Sequence, residues 1–95
     1  MNIGDIVTVI TMTGDYVGKL EYQNNGMVKL GKPVMVMPHQ NGLGFASSLA
    51  MTGEENPKEV TLHNVTLVVK TNDDVANGYK QHTGSLITPP AGLVI

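Results

Sequence analysis

Three histidines, at positions 39, 63 and 82, carry the only side chains of this sequence that ordinarily titrate near neutral pH, and their spacing decides what they can share. No His-x-His or Glu-x-x-His pair occurs, so a single chain offers no metal-chelating run. The 95 residues include no cysteine, which removes thiolate ligands, thiol nucleophiles and disulfides together. No Ser, His and Asp stand in an order that suggests a nucleophile with its base, and no carboxylate pair has a convincing spacing. Asp73-Asp74 reads as a complement to a helix N-terminus and not as a catalytic pair. These residues predict no enzyme, no metal and no cofactor. Binding chemistry remains: Asn24, Asn25, Lys29, Lys32, His63 and Asn64 supply donors, acceptors and charge suited to weak contacts with phosphates and bases.

Charge limits how strong such contacts can be. The six positive charges are all lysine, against eight acids, for a net charge of −2. Charged residues make up 15% of the chain, against roughly 25% in an average soluble protein. A histone-like polycation is excluded, and the charge balance argues against tight, charge-driven nucleic-acid binding by a lone subunit. No apolar run reaches the ~20 residues that cross a bilayer. Met1 leads directly to Gly4-Asp5 without a basic and apolar leader, so the expectation is a soluble cytoplasmic protein with no membrane partner. Asn64-Val65-Thr66 spells a glycosylation acceptor that is meaningless without secretion.

The elements that must position these residues are strands. Eleven glycines and five prolines punctuate a chain rich in Val, Thr, Ile and Met, the profile of a mainly β protein. Asp5–Met12 is a β-branched run with apolar residues on both faces. Tyr16–Gln23 alternates, with Tyr16, Gly18, Leu20 and Tyr22 on one face. Asn24-Asn25-Gly26 predicts a tight turn. A third strand, Met27–Met37, is too long to lie flat in so small a domain. It is expected to bend at Gly31-Lys32-Pro33, matched by Gly18 in its neighbour. Pro38–Pro57 reads as a polar loop, with Ser47–Met51 a helical turn or hairpin extension within it. Gly42-Leu43-Gly44-Phe45 spells the carboxylate-binding loop of PDZ domains, yet the 50 residues after it lack the PDZ pattern, so an ordinary loop is expected. Glu59–Leu62 and Val65–Lys70 read as two short strands around a His63-Asn64 corner. Asn72 predicts a helix N-cap, with Lys80 and His82 near the helix end and an extended apolar tail beyond.

Five short antiparallel strands, bent at internal glycines and ending in a tight corner, resemble the Sm-like barrel of Lsm and bacterial Hfq proteins. Gly14-Asp-Tyr-Val-Gly18-Lys-Leu20 and Asn24-Asn-Gly-Met27-Val-Lys-Leu30 resemble the first Sm motif. Leu62-His63-Asn64 falls where the second motif has its apolar-Arg-Gly corner. The likeness covers about residues 3–70, and its small form without an N-terminal helix is most similar to Sm-like proteins of marine cyanophages. It implies a strongly bent five-stranded open barrel over residues 1–70, with residues 71–95 forming a helix and tail packed on or beside it. Counted from Gly18, the family's acid, base-stacking residue and base-reading Asn are replaced by Asn24, Gly26 and Val28. The corner has His63 and Asn64 for Arg and Gly, with Asn64 suited to the left-handed conformation that glycine supplies there. The family's uridine pocket is therefore largely dismantled.

The resemblance also implies assembly, in which the fourth strand of one copy joins the fifth of the next until a ring closes. Val65–Val69 is an apolar, β-prone edge without a Lys, Pro or acid as a guard. Val60, Leu62, Val65, Leu67 and Val69 are accordingly the expected subunit interface. Two functions follow for a homo-oligomeric ring. One is weak binding of RNA or single-stranded DNA through His63, Asn64, Asn24, Asn25, Lys29 and Lys32, repeated in every subunit. The other is a structural or adaptor ring without a nucleic-acid ligand.

Overall fold

Alternation of β-branched residues builds the first strand, β1 (Ile6–Thr11), which turns at Met12-Thr13 into β2 (Gly14–Asn24). Asn25 and Gly26 have φ of 46° and 79°, the paired positive values of a two-residue hairpin turn, and deliver the chain into β3 (Met27–His39). The computed structural model describes residues 1–40 and 42–83. After β3 come β4 (Gly42–Ala46), β5 (Glu59–Leu62), β6 (Leu67–Lys70) and one helix, α1 (Asp73–Thr83). All pairings are antiparallel, in the order β4-β3-β2-β1-β6, with β5 also on β3.

The strand count departs from the expected five. The segment read as a polar loop between Pro38 and Pro57 instead prolongs β3 to His39 and returns along it as β4, giving six described strands. Propensity argues against a strand at Gly42-Leu43-Gly44, but pairing with β3 and the packing of Phe45 against the helix-side core supply the missing stabilisation. Beyond β4, Ser48 bridges Glu55 and the Asn56 amide donates to the Ser47 carbonyl at 2.8 Å, so Ser47–Met51 belongs to a hairpin extension.

β3 changes partner along one edge, pairing β5 from Val28 to Gly31 and β4 from Met35 to His39. The pivot is Gly31-Lys32-Pro33, where Lys32 has a φ of 49°. Between the Val17–Val34 and Lys19–Gly31 pairs, Gly18 alone faces the two residues Lys32 and Pro33, a bulge that turns β3. Glu21 is the extra residue of a second bulge, between the Leu20–Leu30 and Tyr22–Lys29 pairs.

Two apolar clusters hold the sheet. Val7, Val9, Tyr16, Leu20, Val28 and Leu30 form the larger, joined by half-buried Met35, Leu49, Val60, Leu62, Val65 and Val68. Residues of β1, β2, β3, β5 and β6 thus share one core, although no ladder joins β5 to β6 and the sheet is not closed. On the opposite face Val17, Val34 and Tyr79 form the second cluster, with Ile6, Val36, Phe45 and Val75 around them. This second core explains why β1 is apolar on both sides.

α1 follows from local signals. Asn72 Oδ1 accepts the Val75 amide at 2.9 Å, Asp73 and Asp74 occupy the first turn, and Lys80 and His82 the last. A Cβ on Gly78 would meet Phe45 at 3.5 Å, an ordinary contact, so packing tolerates that glycine without requiring it. Tyr79 is fully buried, and its hydroxyl donates to the carbonyls of Lys32 at 2.7 Å and Gly31 at 3.3 Å, both at the β3 pivot. The helix is therefore fastened to the bend by a polar contact inside an apolar cluster. The expected tail, residues 84–95, lies outside the described residues.

This burial makes stability depend on pH at both ends. Burial pushes the Tyr79 hydroxyl from 10.0 up to about 12, so the neutral phenol is the form that folds. Stability is complete below pH 10 and is lost as pH rises towards 12, by about 2–3 kcal/mol. Burial beside Phe45 pushes His82 below its ordinary 6.5, so stability present above that pH is lost as pH falls through the folded value. Urea midpoints measured from pH 5 to 12 should form a plateau with two falling limbs. Tyr79→Phe should flatten the alkaline limb, and His82→Asn the acid one.

Candidate functional site

The corner after β5 is built on a backbone bond. The Val65 amide donates to the Gly26 carbonyl at 3.0 Å, and the Thr66 amide to the Ile10 carbonyl at 2.8 Å. The first bond seats the β5–β6 corner on the β2–β3 turn. Asn24, Asn25, His63 and Asn64, expected from sequence to act together, are thereby neighbours at one end of the sheet, and all four are exposed. Asn64 has a φ of 56°, the left-handed conformation expected of it.

Tyr22 belongs to the same place and was missed in the sequence, where its period assigned it to the apolar face of β2. The bulge at Glu21 shifts it, and 45% of its surface is exposed. Its hydroxyl accepts from Asn24 Nδ2 at 3.2 Å, so the ring stands beside the asparagine turn. An aromatic two residues before an Asn-Asn-Gly turn was the available signal. Side by side across three strands, Tyr22 pairs with Lys29 and Lys29 with Thr61, a row on the face opposite the larger core. The arrangement combines a π-face, amides and an imidazole with one ammonium group.

The two lysines are placed differently. Lys29 Nζ lies 3.3 Å from Glu59 Oε1, an exposed pair worth about 0–1 kcal/mol that masks much of its charge. Lys32 is at the β3 pivot, at the opposite end of the β3–β5 ladder from the corner, and lines a cleft with Lys58 and His82. The structure thus gathers the asparagines, His63 and Lys29 around the corner and leaves Lys32 elsewhere.

The five apolar residues expected at a subunit interface also separate. Val28–Leu62 and Leu30–Val60 pairing directs Val60 and Leu62 into the larger core, and Val65 packs there too. In β6 the inward residue is Val68, opposite Val9, while Leu67 and Val69 are 44% and 48% exposed on the other face. β6 starts at Leu67 and not at Val65, because Val65 and Thr66 are spent on the corner's own bonds. β5 has β3 as its ladder partner and β6 has β1, which leaves each with one unpaired edge among the described residues.

His39 is exposed near the end of β3, and His82 lies on α1, so the three histidines are on three different elements. Among the described residues no three His, Asp or Glu side chains come together to hold a metal. No helix among them is long and apolar enough to cross a membrane. Neither a protein-family model nor a curated protein matches this chain.

Proposed function

We propose that this chain is an Sm-like protein whose sheet acts as an open barrel, assembles with identical copies into a ring, and holds single-stranded nucleic acid at the corner of each subunit. The observation that carries the reading is the Val65–Gly26 bond, which joins Asn24, Asn25, His63, Asn64 and Tyr22 into one exposed cluster. Two further features support assembly. β5 and β6, neighbours in sequence, lie at opposite ends of the path β6-β1-β2-β3-β5, each with an unpaired edge, so β5 of one copy can pair with β6 of the next. Leu67 and Val69 would be covered by that contact. Tyr22 offers the stacking face that Gly26 lacks, and base stacking on an aromatic contributes about 1–3 kcal/mol per base. Repetition around a ring multiplies contacts that are individually weak. The ligand class rests on the resemblance of residues 3–70 to the Sm-like barrel.

A second reading, a structural or adaptor ring without a nucleic-acid ligand, is favoured by one observation: Lys29, the lysine closest to the corner, is paired with Glu59. Among the described residues, phosphate binding then has no unpaired lysine at the cluster. Native mass spectrometry should show a homo-oligomer, and fluorescence polarisation with labelled oligo-U, oligo-A and single-stranded DNA should show binding at low salt that weakens as salt rises. Tyr22→Ala and His63→Ala should each reduce affinity about tenfold while the oligomer persists. A stable monomer at high concentration rejects assembly; a ring that leaves every probe unbound at micromolar concentration selects the adaptor.

A further inference from the structure

Lys32 is the exception among residues with left-handed backbone. Among the described residues the other non-glycine positions with positive φ, at 25, 56 and 64, are all asparagine, which tolerates this conformation; lysine does so less readily. Glycine or asparagine at 32 would hold the same bend with less strain. Backbone strain that persists at one residue calls for a reason in its side chain.

That side chain lines a cleft of about 350 Å³ between the β3 pivot, the segment before β5 and the end of α1. Pro33 and Val34 lie buried beneath its floor and half-buried Pro57 forms its apolar wall; its polar groups come from Lys32, Lys58, Asn56, His82 and Thr83. The Lys32 amide donates to the Lys58 carbonyl at 2.8 Å, so the two lysine-bearing segments are tied together at the rim. Among the described residues neither lysine is in an ion pair. Burial holds His82 towards its neutral form, so the charge of the cleft is that of the two ammonium groups. The C-terminus of α1 opposes an anion with about half a unit of negative charge, and the Thr83 hydroxyl already occupies one of its carbonyls, that of Tyr79, at 2.9 Å. Two full positive charges outweigh it.

We infer that this cleft is a binding site for a nucleoside monophosphate, with the phosphate between Lys32 and Lys58 and the flat ring against Pro57, the half-buried apolar residue of the lining. A phosphomonoester carries about 1.5–2 negative charges at neutral pH, which matches two lysines better than a single carboxylate would. The volume is within the range of small-ligand pockets, and the lining is mostly polar. The site is separate from the corner cluster and does not depend on it.

The test is titration of the full chain, followed by calorimetry or NMR, with uridine 5′-monophosphate, inorganic phosphate and uridine as separate probes. The monophosphate should bind with Kd below about 1 mM and at least tenfold more tightly than either fragment. Lys32→Gly relieves the strained backbone, so it should fold at least as stably and still lose about tenfold in affinity; Lys58→Gln should lose a similar factor. His63→Ala, at the corner, should leave this binding unchanged even if it abolishes oligonucleotide binding. An oligo-U with a 5′-phosphate that competes where the unphosphorylated strand does not would identify a strand end, and not a free nucleotide, as the source. Equal affinity for the monophosphate and phosphate overturns the ring-binding half of the inference. Unchanged binding in both lysine variants, or no binding by 10 mM, overturns all of it.

Discussion

Tyr79→Phe is expected to fold and to lose about 1–3 kcal/mol in urea unfolding, whereas Tyr79→Ala should lose about 3–5 kcal/mol and leave little folded protein at 37 °C. The phenylalanine variant keeps the ring among Val17 and Val34 but removes the donor from two carbonyls, those of Gly31 and Lys32. A buried acceptor left without its donor costs its desolvation, which is the whole of the expected effect. The alanine variant adds an aromatic-sized cavity at the centre of the helix-side cluster. Domains of this size hold only about 5–15 kcal/mol in total, so the second loss is a large share. Because the hydroxyl fastens α1 to the β3 pivot, amides of α1 should also lose hydrogen-exchange protection first in Tyr79→Phe. Equal stability of Tyr79→Phe and the parent would show that the two carbonyls find another donor.

Gly18 and Gly31 both lie at the bend but should respond in opposite ways. A Cβ on Gly18 would lie 3.0 Å from the Gly31 carbonyl oxygen, 3.0 Å from Leu30 Cβ and 3.3 Å from Pro33 Cα. None of these can move without moving a strand. Gly18→Val should therefore cost about 3 kcal/mol or more, and Gly18→Ala about 1–3 kcal/mol. A Cβ on Gly31 instead meets the carboxylate of Glu21, the free end of an exposed side chain that can swing aside. Gly31→Ala should stay within about 1 kcal/mol of the parent, helped by the lower entropy of its unfolded chain. Thermal denaturation of the three variants decides the matter, and a Gly31→Ala loss as large as that of Gly18→Ala would place the rigid contact on the wrong glycine.

Much of the site's surroundings was legible because it rests on local rules. Asn25-Gly26 reads as a hairpin turn because Asn and Gly tolerate positive φ, Asn72 as an N-cap from its side-chain acceptor, and Asn64 as a left-handed corner from the same steric rule. The bend at Gly31 was legible because an eleven-residue strand with a central Gly-Lys-Pro cannot run flat. β4 was not legible. Gly42-Leu43-Gly44 has poor strand propensity, and its stabilisation comes from β3 and α1, which lie elsewhere in the chain. Tyr22 escaped for a related reason: a bulge one residue before it shifts its register, and bulges leave no mark on the period of a strand.

What the sequence by itself determined is the vocabulary: an antiparallel β chain with one capped helix, no cysteine chemistry, and a small set of asparagines, lysines and histidines available for binding. Turns, caps and alternation are short-range, so a few adjacent residues suffice to write them. Only the tertiary structure decided how that set is divided. The Val65–Gly26 bond, between residues 39 apart in sequence (65 − 26), assembles the corner cluster. The pivot in β3 sends Lys32 to a cleft with Lys58 and His82, and the Glu59 carboxylate claims Lys29. Such choices depend on long-range pairing and on which face a bulge exposes, and those are settled only when the strands meet.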